Sequence, residues 1–146
     1  MKSGTGNFKV YTLLTPLQTH LRTRPMGKLT THVLDTAHGC PAAGMTVALL
    51  RRDGAAPAST WTALLTVTLN ADGRADAPLL EGAQFLPGRY RLVFGVAAYF
   101  RARGAALDEP PFLDEVAVDF GLARIDQHYH VPLLASPFAY STYRGS

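Results

Sequence analysis

The chain has 146 residues, 47% hydrophobic and 17% charged, with a formal net charge of +3. That is one domain's worth of sequence, long enough to bury roughly 70% of the surface its unfolded form would expose. No Lys/Arg run is long enough to follow a nucleic-acid backbone, no stretch approaches the ~20 apolar residues that span a bilayer, and one cysteine, Cys40, can make neither an intramolecular disulfide nor a thiolate metal cage. The expectation is a soluble, cytoplasmic protein with no nucleic-acid or membrane partner.

Ten prolines and thirteen glycines cut the sequence into short segments, which favours strands joined by turns over long helices. Residues 1–28 carry Ser, Gly, Thr and scattered basic residues around one apolar patch from Val10 to Leu17. They read as a poorly ordered extension, and the domain proper as residues 29–146. Leu29 to Asp35 is β-branched and alternating, and His38-Gly39-Cys40-Pro41 closes it as a turn. At such a turn Cys40 reads as a small side chain rather than a nucleophile. Met45 to Leu50 is a second apolar run, ended by Arg51-Arg52-Asp53-Gly54. Trp61 to Leu69 is a third, and Asn70-Ala71-Asp72-Gly73 after it is turn chemistry, with Arg74 directly following.

Gly88 to Val96 is a fourth strand, with Tyr90, Leu92 and Phe94 on one face and Arg89, Arg91 and Val93 on the other. Ala97 to Arg103 suits a short helix stopped at Gly104. Glu115 to Phe120 alternates again, and Asp126 to Leu134 and Phe138 to Tyr143 form a closing pair around Ser136-Pro137. Seven or eight short strands with at most one helix predict a two-sheet antiparallel β-sandwich.

Three histidines carry the chemistry such a sandwich could offer. His32 falls mid-strand, with Thr30 and Leu34 on its face, and His128 and His130 are two apart, which in a strand puts both on one face. Imidazole suits proton transfer at neutral pH, and His-x-His with a third histidine could also hold zinc, although a strand histidine is ordinarily a structural hydrogen-bonding residue. Arg74 reads either as a solvated turn residue or as a guanidinium for an anion or oxyanion. Asp35 and Asp72 are explained by turn chemistry, and His38 lies in a turn with no assigned role. The end, Tyr140-Ser141-Thr142-Tyr143-Arg144-Gly145-Ser146, is polar and aromatic, either a frayed tail or an anchor for a pocket. No P-loop, dinucleotide fingerprint or nucleophile elbow is present.

Three segments bear a resemblance. Thr31-His32-Val33-Leu34-Asp35-Thr36-Ala37-His38-Gly39 with Pro41-Ala42 resembles the N-terminal signature of the 5-hydroxyisourate hydrolase family. His128-Tyr129-His130-Val131-Pro132-Leu133-Leu134 with Ser136-Pro137 resembles its C-terminal signature, and Tyr140 to Ser146 is similar to the terminal sequence that separates these enzymes from transthyretin, their hormone-carrying relative. The resemblance implies a transthyretin-like sandwich that opens the ring of 5-hydroxyisourate at an amide bond, without metal or cofactor, as a homotetramer with its sites at a subunit interface. It places the catalytic residues at His32, Arg74, His130 and Ser146, and substrate contacts at Tyr143, Arg144, Gly145 and His128. Which histidine acts as the base stays open. Cys40 and the segment Pro111 to Val116 depart from the family pattern away from these positions. The other readings are a transthyretin-like carrier without turnover and an adhesive β-sandwich.

Overall fold

In the computed structural model of the chain, residues 26–54 and 60–146 are described; residues 1–25, with most of the expected extension, lie outside the described residues. Among the described residues ten strands and one α-helix, with a short 3-10 helix (Gly82–Gln84) before β6, run in the order β1 (Leu29–Thr30), β2 (Val33–Asp35), β3 (Cys40–Pro41), β4 (Thr46–Asp53), β5 (Thr60–Thr68), β6 (Gly88–Phe94), α1 (Val96–Ala102), β7 (Val116–Leu122), β8 (Tyr129–His130), β9 (Leu133–Ala135) and β10 (Tyr140–Thr142). None of the described helices is long and apolar enough to cross a membrane.

Two four-stranded sheets face each other. The larger, in the order β5-β4-β6-β7, is wholly antiparallel. The smaller, in the order β10-β9-β2-β3, is antiparallel at both ends and parallel at its centre, where β2 runs alongside β9. β1 continues the parallel pairing against β8. Alternation sorts the side chains: Val47, Leu49, Tyr90, Leu92 and Phe94 point inward from the large sheet and are fully buried, and Val33, Leu133 and Ala135 meet them from the small one. At about 25 cal/mol per Å² of apolar surface, this shared core is the main stabilising term. Val96, Tyr99 and Phe100 of α1 close one end of it.

The structure differs from the sequence reading in several places. Cys40 and Pro41, read as part of a turn, pair as β3 with Asp35 and Leu34, and the sandwich expected to be antiparallel has parallel pairs at β2/β9 and β1/β8. The strand expected from Leu29 to Asp35 is divided at Thr31 and His32, and its partner is divided at Val131 and Pro132. Pro132 has no N–H to give, so the ladder lapses there; the Thr31 hydroxyl donates to the Val131 carbonyl at 2.8 Å in its place. β4 also runs on through Arg51, Arg52 and Asp53 instead of turning. Its pairing with β5 shifts by one residue between Leu49 and Leu50, where Leu64 is the extra residue of a bulge in β5.

Candidate active site

The segment after β5 builds one wall. Asn70 holds the turn with its side chain: Oδ1 accepts from the backbone N–H groups of Asp72 at 2.9 Å and Arg74 at 3.2 Å. Gly73 has φ +69°, and a Cβ there would lie 2.5 Å from the Val33 carbonyl oxygen, so the turn demands glycine twice over. The Gly73 carbonyl accepts from the Val33 N–H at 2.9 Å. This sets Arg74 directly opposite His32 in an isolated antiparallel bridge.

β8 and the chain end build the other wall. The parallel register places His130 beside Thr30, and the Thr30 hydroxyl lies 2.8 Å from His130 Nδ1. The last residues then fold back over this strand. Gly145 donates its N–H to the His130 carbonyl at 2.8 Å and pairs with it in a second isolated bridge. A Cβ on Gly145 would lie 2.9 Å from His130 Cδ2, so the tail lies on the imidazole only because residue 145 has no side chain.

Electrostatics tie the walls together. Burial, and next the Arg74 guanidinium, hold the His32 imidazole below its ordinary value, against a hydrogen bond to the Asp72 backbone and the Asp72 carboxylate, which pull it up. Burial, Arg74 and then His32 lower His130 in the same direction. Both shifts favour the uncharged imidazole, and each ring lies beside a fixed cation. An uncharged imidazole next to a guanidinium can take a proton from water while the cation meets the negative charge that develops on a carbonyl oxygen. A shallow hollow of about 160 Å³, lined by Thr30, Thr31, Arg74 and Asp76 among others, adjoins this group.

The structure thus brings together His32, Arg74, His130 and Gly145, with Ser146 one residue beyond. Other positions lie apart. The Arg144 guanidinium sits over the Tyr129 ring at 4.3 Å and donates to Gln127 Oε1 at 2.9 Å. Tyr143 is exposed, and His128 is exposed in the loop before β8 rather than in the strand with His130. Among the described residues no group of three or more His, Cys, Asp or Glu side chains could hold a metal ion. Thr30, as the partner of His130, escaped the sequence reading: its face was legible, but the cross-strand register that brings it to residue 130 was not. A larger hollow of about 420 Å³, on the other sheet between Arg52, Trp61, Arg89 and Asp119, contains none of the histidines.

The chain is similar to known proteins over most of its length. The profile of the HIUase/Transthyretin family matches residues 29–145. The 5-hydroxyisourate hydrolase of Pseudomonas aeruginosa is 54% identical over 125 residues, 86% of this chain and 96% of that protein. The enzyme of the same name from Mesorhizobium japonicum is 59% identical over 120 residues, 82% of this chain and 93% of its own. Among solved structures, sea bream transthyretin in complex with thyroxine superposes with a TM-score of 0.71 at 28% identity, covering 81% of this chain and 94% of that one.

Proposed function

The chain belongs to the HIUase/transthyretin family, and we propose that His32, Arg74 and His130 form its reacting centre, closed by the residues up to Ser146. It is a hydrolase of urate catabolism that acts on 5-hydroxyisourate, as its relatives at 54% and 59% identity are named. The product is 2-oxo-4-hydroxy-4-carboxy-5-ureidoimidazoline. The observation that carries the site is that His32 pairs with Arg74 in one bridge, with the His130 imidazole within electrostatic reach of both and held at its own bridge to Gly145.

The chemistry follows from those groups. His130, with His32 beside it, takes a proton from water as the oxygen adds to the ring carbonyl. Arg74 meets the negative charge on that carbonyl oxygen. The tetrahedral adduct then releases the ring nitrogen, and the proton held on imidazole passes to it, so the ring opens with one water consumed and the enzyme unchanged. Ser146, with its hydroxyl, closes the tail side of the pocket.

The partner is a second copy of the chain. His32 and Leu34 lie on the outer face of the small sheet, with the exposed rings of Phe138, Tyr140 and Tyr143 near its β10 edge. Side chains on an open sheet face become an enclosed site when another subunit covers them, and a patch of exposed aromatic residues suits such a contact. We place the site at the interface of a homotetramer on that ground.

The test follows the ultraviolet decay of freshly generated 5-hydroxyisourate. His130→Asn and Arg74→Glu should each lower turnover by at least about 10²-fold, the scale of a lost general base or oxyanion donor, with the thermal midpoint held. Wild-type rates in either variant remove that residue from the mechanism. A wild-type protein that binds the compound without speeding its decay is a carrier.

A further inference from the structure

His130 offers two ring nitrogens, and the structure treats them differently. Nδ1 has the Thr30 hydroxyl at 2.8 Å. Nε2 has no hydrogen-bond partner among the described residues and is the nitrogen left for substrate or water. The tail holds the ring in place, since Gly145 pairs with the His130 backbone and packs on its Cδ2 edge. Thr30 is the group placed to act on the tautomer, since its hydroxyl can accept from Nδ1–H or donate to a bare Nδ1.

A neutral imidazole can act as a base at Nε2 only when its proton sits on Nδ1, and that N–H needs an acceptor. Once Nε2 has taken a proton, Nδ1–H still needs one. A hydroxyl oxygen accepts in both states. The parallel register of β1 against β8, Thr30 opposite His130, supplies it at hydrogen-bonding distance. The charged and titratable groups around His130 are Arg74 and His32. A cation cannot accept a hydrogen bond, and no hydrogen bond joins His32 to His130 among the described residues.

We propose that Thr30 is a positioning residue: its hydroxyl oxygen accepts from His130 Nδ1–H, fixes the tautomer with a bare Nε2, and supports the imidazolium formed during ring opening. This rests on the reading of His130 as a proton-transfer group, and it adds the partner through which that group is aimed. Thr30 touches no reacting atom; it acts through the ring.

The experiment compares Thr30→Val, Thr30→Ser and His130→Asn in the full chain. Valine keeps the β-branched shape and loses only the hydroxyl. Thr30→Val should lower kcat about 10-fold, the scale of one hydrogen bond to a group that becomes charged, with KM nearly unchanged. Its acid limb in kcat/KM should move to lower pH, because an imidazolium without its acceptor gives up its proton more readily. Thr30→Ser should stay within about 3-fold of wild type. Nitrogen-15 NMR of the unmodified protein should show His130 protonated at Nδ1. A wild-type kcat for Thr30→Val, an equal loss in the serine variant, or an Nε2–H tautomer in the wild type would overturn the inference and leave the hydrolase reading standing. If Thr30→Val does not fold, the serine rates and the wild-type NMR signal still decide. A wild-type rate for His130→Asn would sink the reading beneath it.

Discussion

The two sheets of this sandwich divide their labour. In the large sheet, β4 pairs with β5 over eight positions and with β6 over five, and β6 pairs with β7 over seven. The inward residues of β4 and β6 are fully buried, and the large sheet carries none of the reacting groups. In the small sheet no ladder exceeds three pairs, and the reacting groups sit where ladders lapse: His32 and Arg74 in one isolated bridge, His130 against Gly145 in another. Long unbroken ladders bury side chains alternately and leave little freedom to aim one. A strand broken by Pro132, or met by one residue of a neighbouring turn, frees side chains to converge while the opposite sheet holds the frame.

The sharpest way to break this division is to damage the frame. Phe94 is fully buried in β6, and Phe94→Ala should cost about 3–5 kcal/mol of stability. The folded fraction should retain its turnover, because the site lies on the other sheet. Thermal unfolding and active-site-normalised decay rates check both halves. A rate loss that persists in the folded fraction would show that the large sheet also tunes the site.

Next in size is damage to the site that spares the frame. Gly145→Ala forces a methyl to within 2.9 Å of His130 Cδ2, and either the ring or the tail must move. Turnover should fall about 10-fold or more, since displacing a catalytic group by an ångström is costly. Removing Tyr143 to Ser146 should do at least as much. In both cases the melting midpoint should hold, because this end of the chain is largely exposed. Normal turnover in the truncated protein would place the site elsewhere.

The same division explains what could be read from sequence. The large sheet announced itself: Tyr90, Leu92 and Phe94 alternate with Arg89, Arg91 and Val93, and period two is a local signal. The helix of Val96–Ala102 and the turn at Asn70 to Gly73 were legible for the same reason. The small sheet was legible only at its closing β9–β10 pair around Ser136-Pro137, because its central pairing joins positions a hundred residues apart, such as Val33 with Leu133, as does the neighbouring pair of Thr30 with His130. His32, Arg74 and His130 emerged as candidates from their chemistry and from family resemblance. Their convergence, the contribution of Thr30, and the engagement of Arg144 with Tyr129 depend on register, which no single segment encodes.

The smallest effect separates two histidines of the same small sheet region. His38 has no role in the turn chemistry read from sequence, yet its Nδ1 lies 2.6 Å from Asp35 Oδ2, and the Asp35 side chain is fully buried. Asp35 also accepts from the N–H groups of Ala37 and His38 and from the Tyr99 hydroxyl at 2.9 Å. Burial alone would raise its pKa; the His38 and Tyr99 hydrogen bonds outweigh burial and hold it below 3.8. A carboxyl lowered in the folded state stabilises the fold above its unfolded value and loses that contribution as pH falls through the folded value. The imidazoles of His32 and His130 are lowered from 6.5, so the unfolded chain binds their protons first, and stability declines as pH drops below about 6.5. Acid should therefore weaken the protein in two stages, the active-site histidines from about 6.5 downward and the Asp35 network near and below 3.8. His38→Ala removes one donor of four, on a half-exposed ring, and should cost about 1 kcal/mol. It should leave turnover unchanged and bring the second stage to higher pH, because Asp35 with fewer donors is protonated sooner. Thermal midpoints from pH 3 to 7, for wild type and this variant, check the shift. An unchanged acid profile would show that the three remaining donors suffice and that His38 adds nothing to the frame.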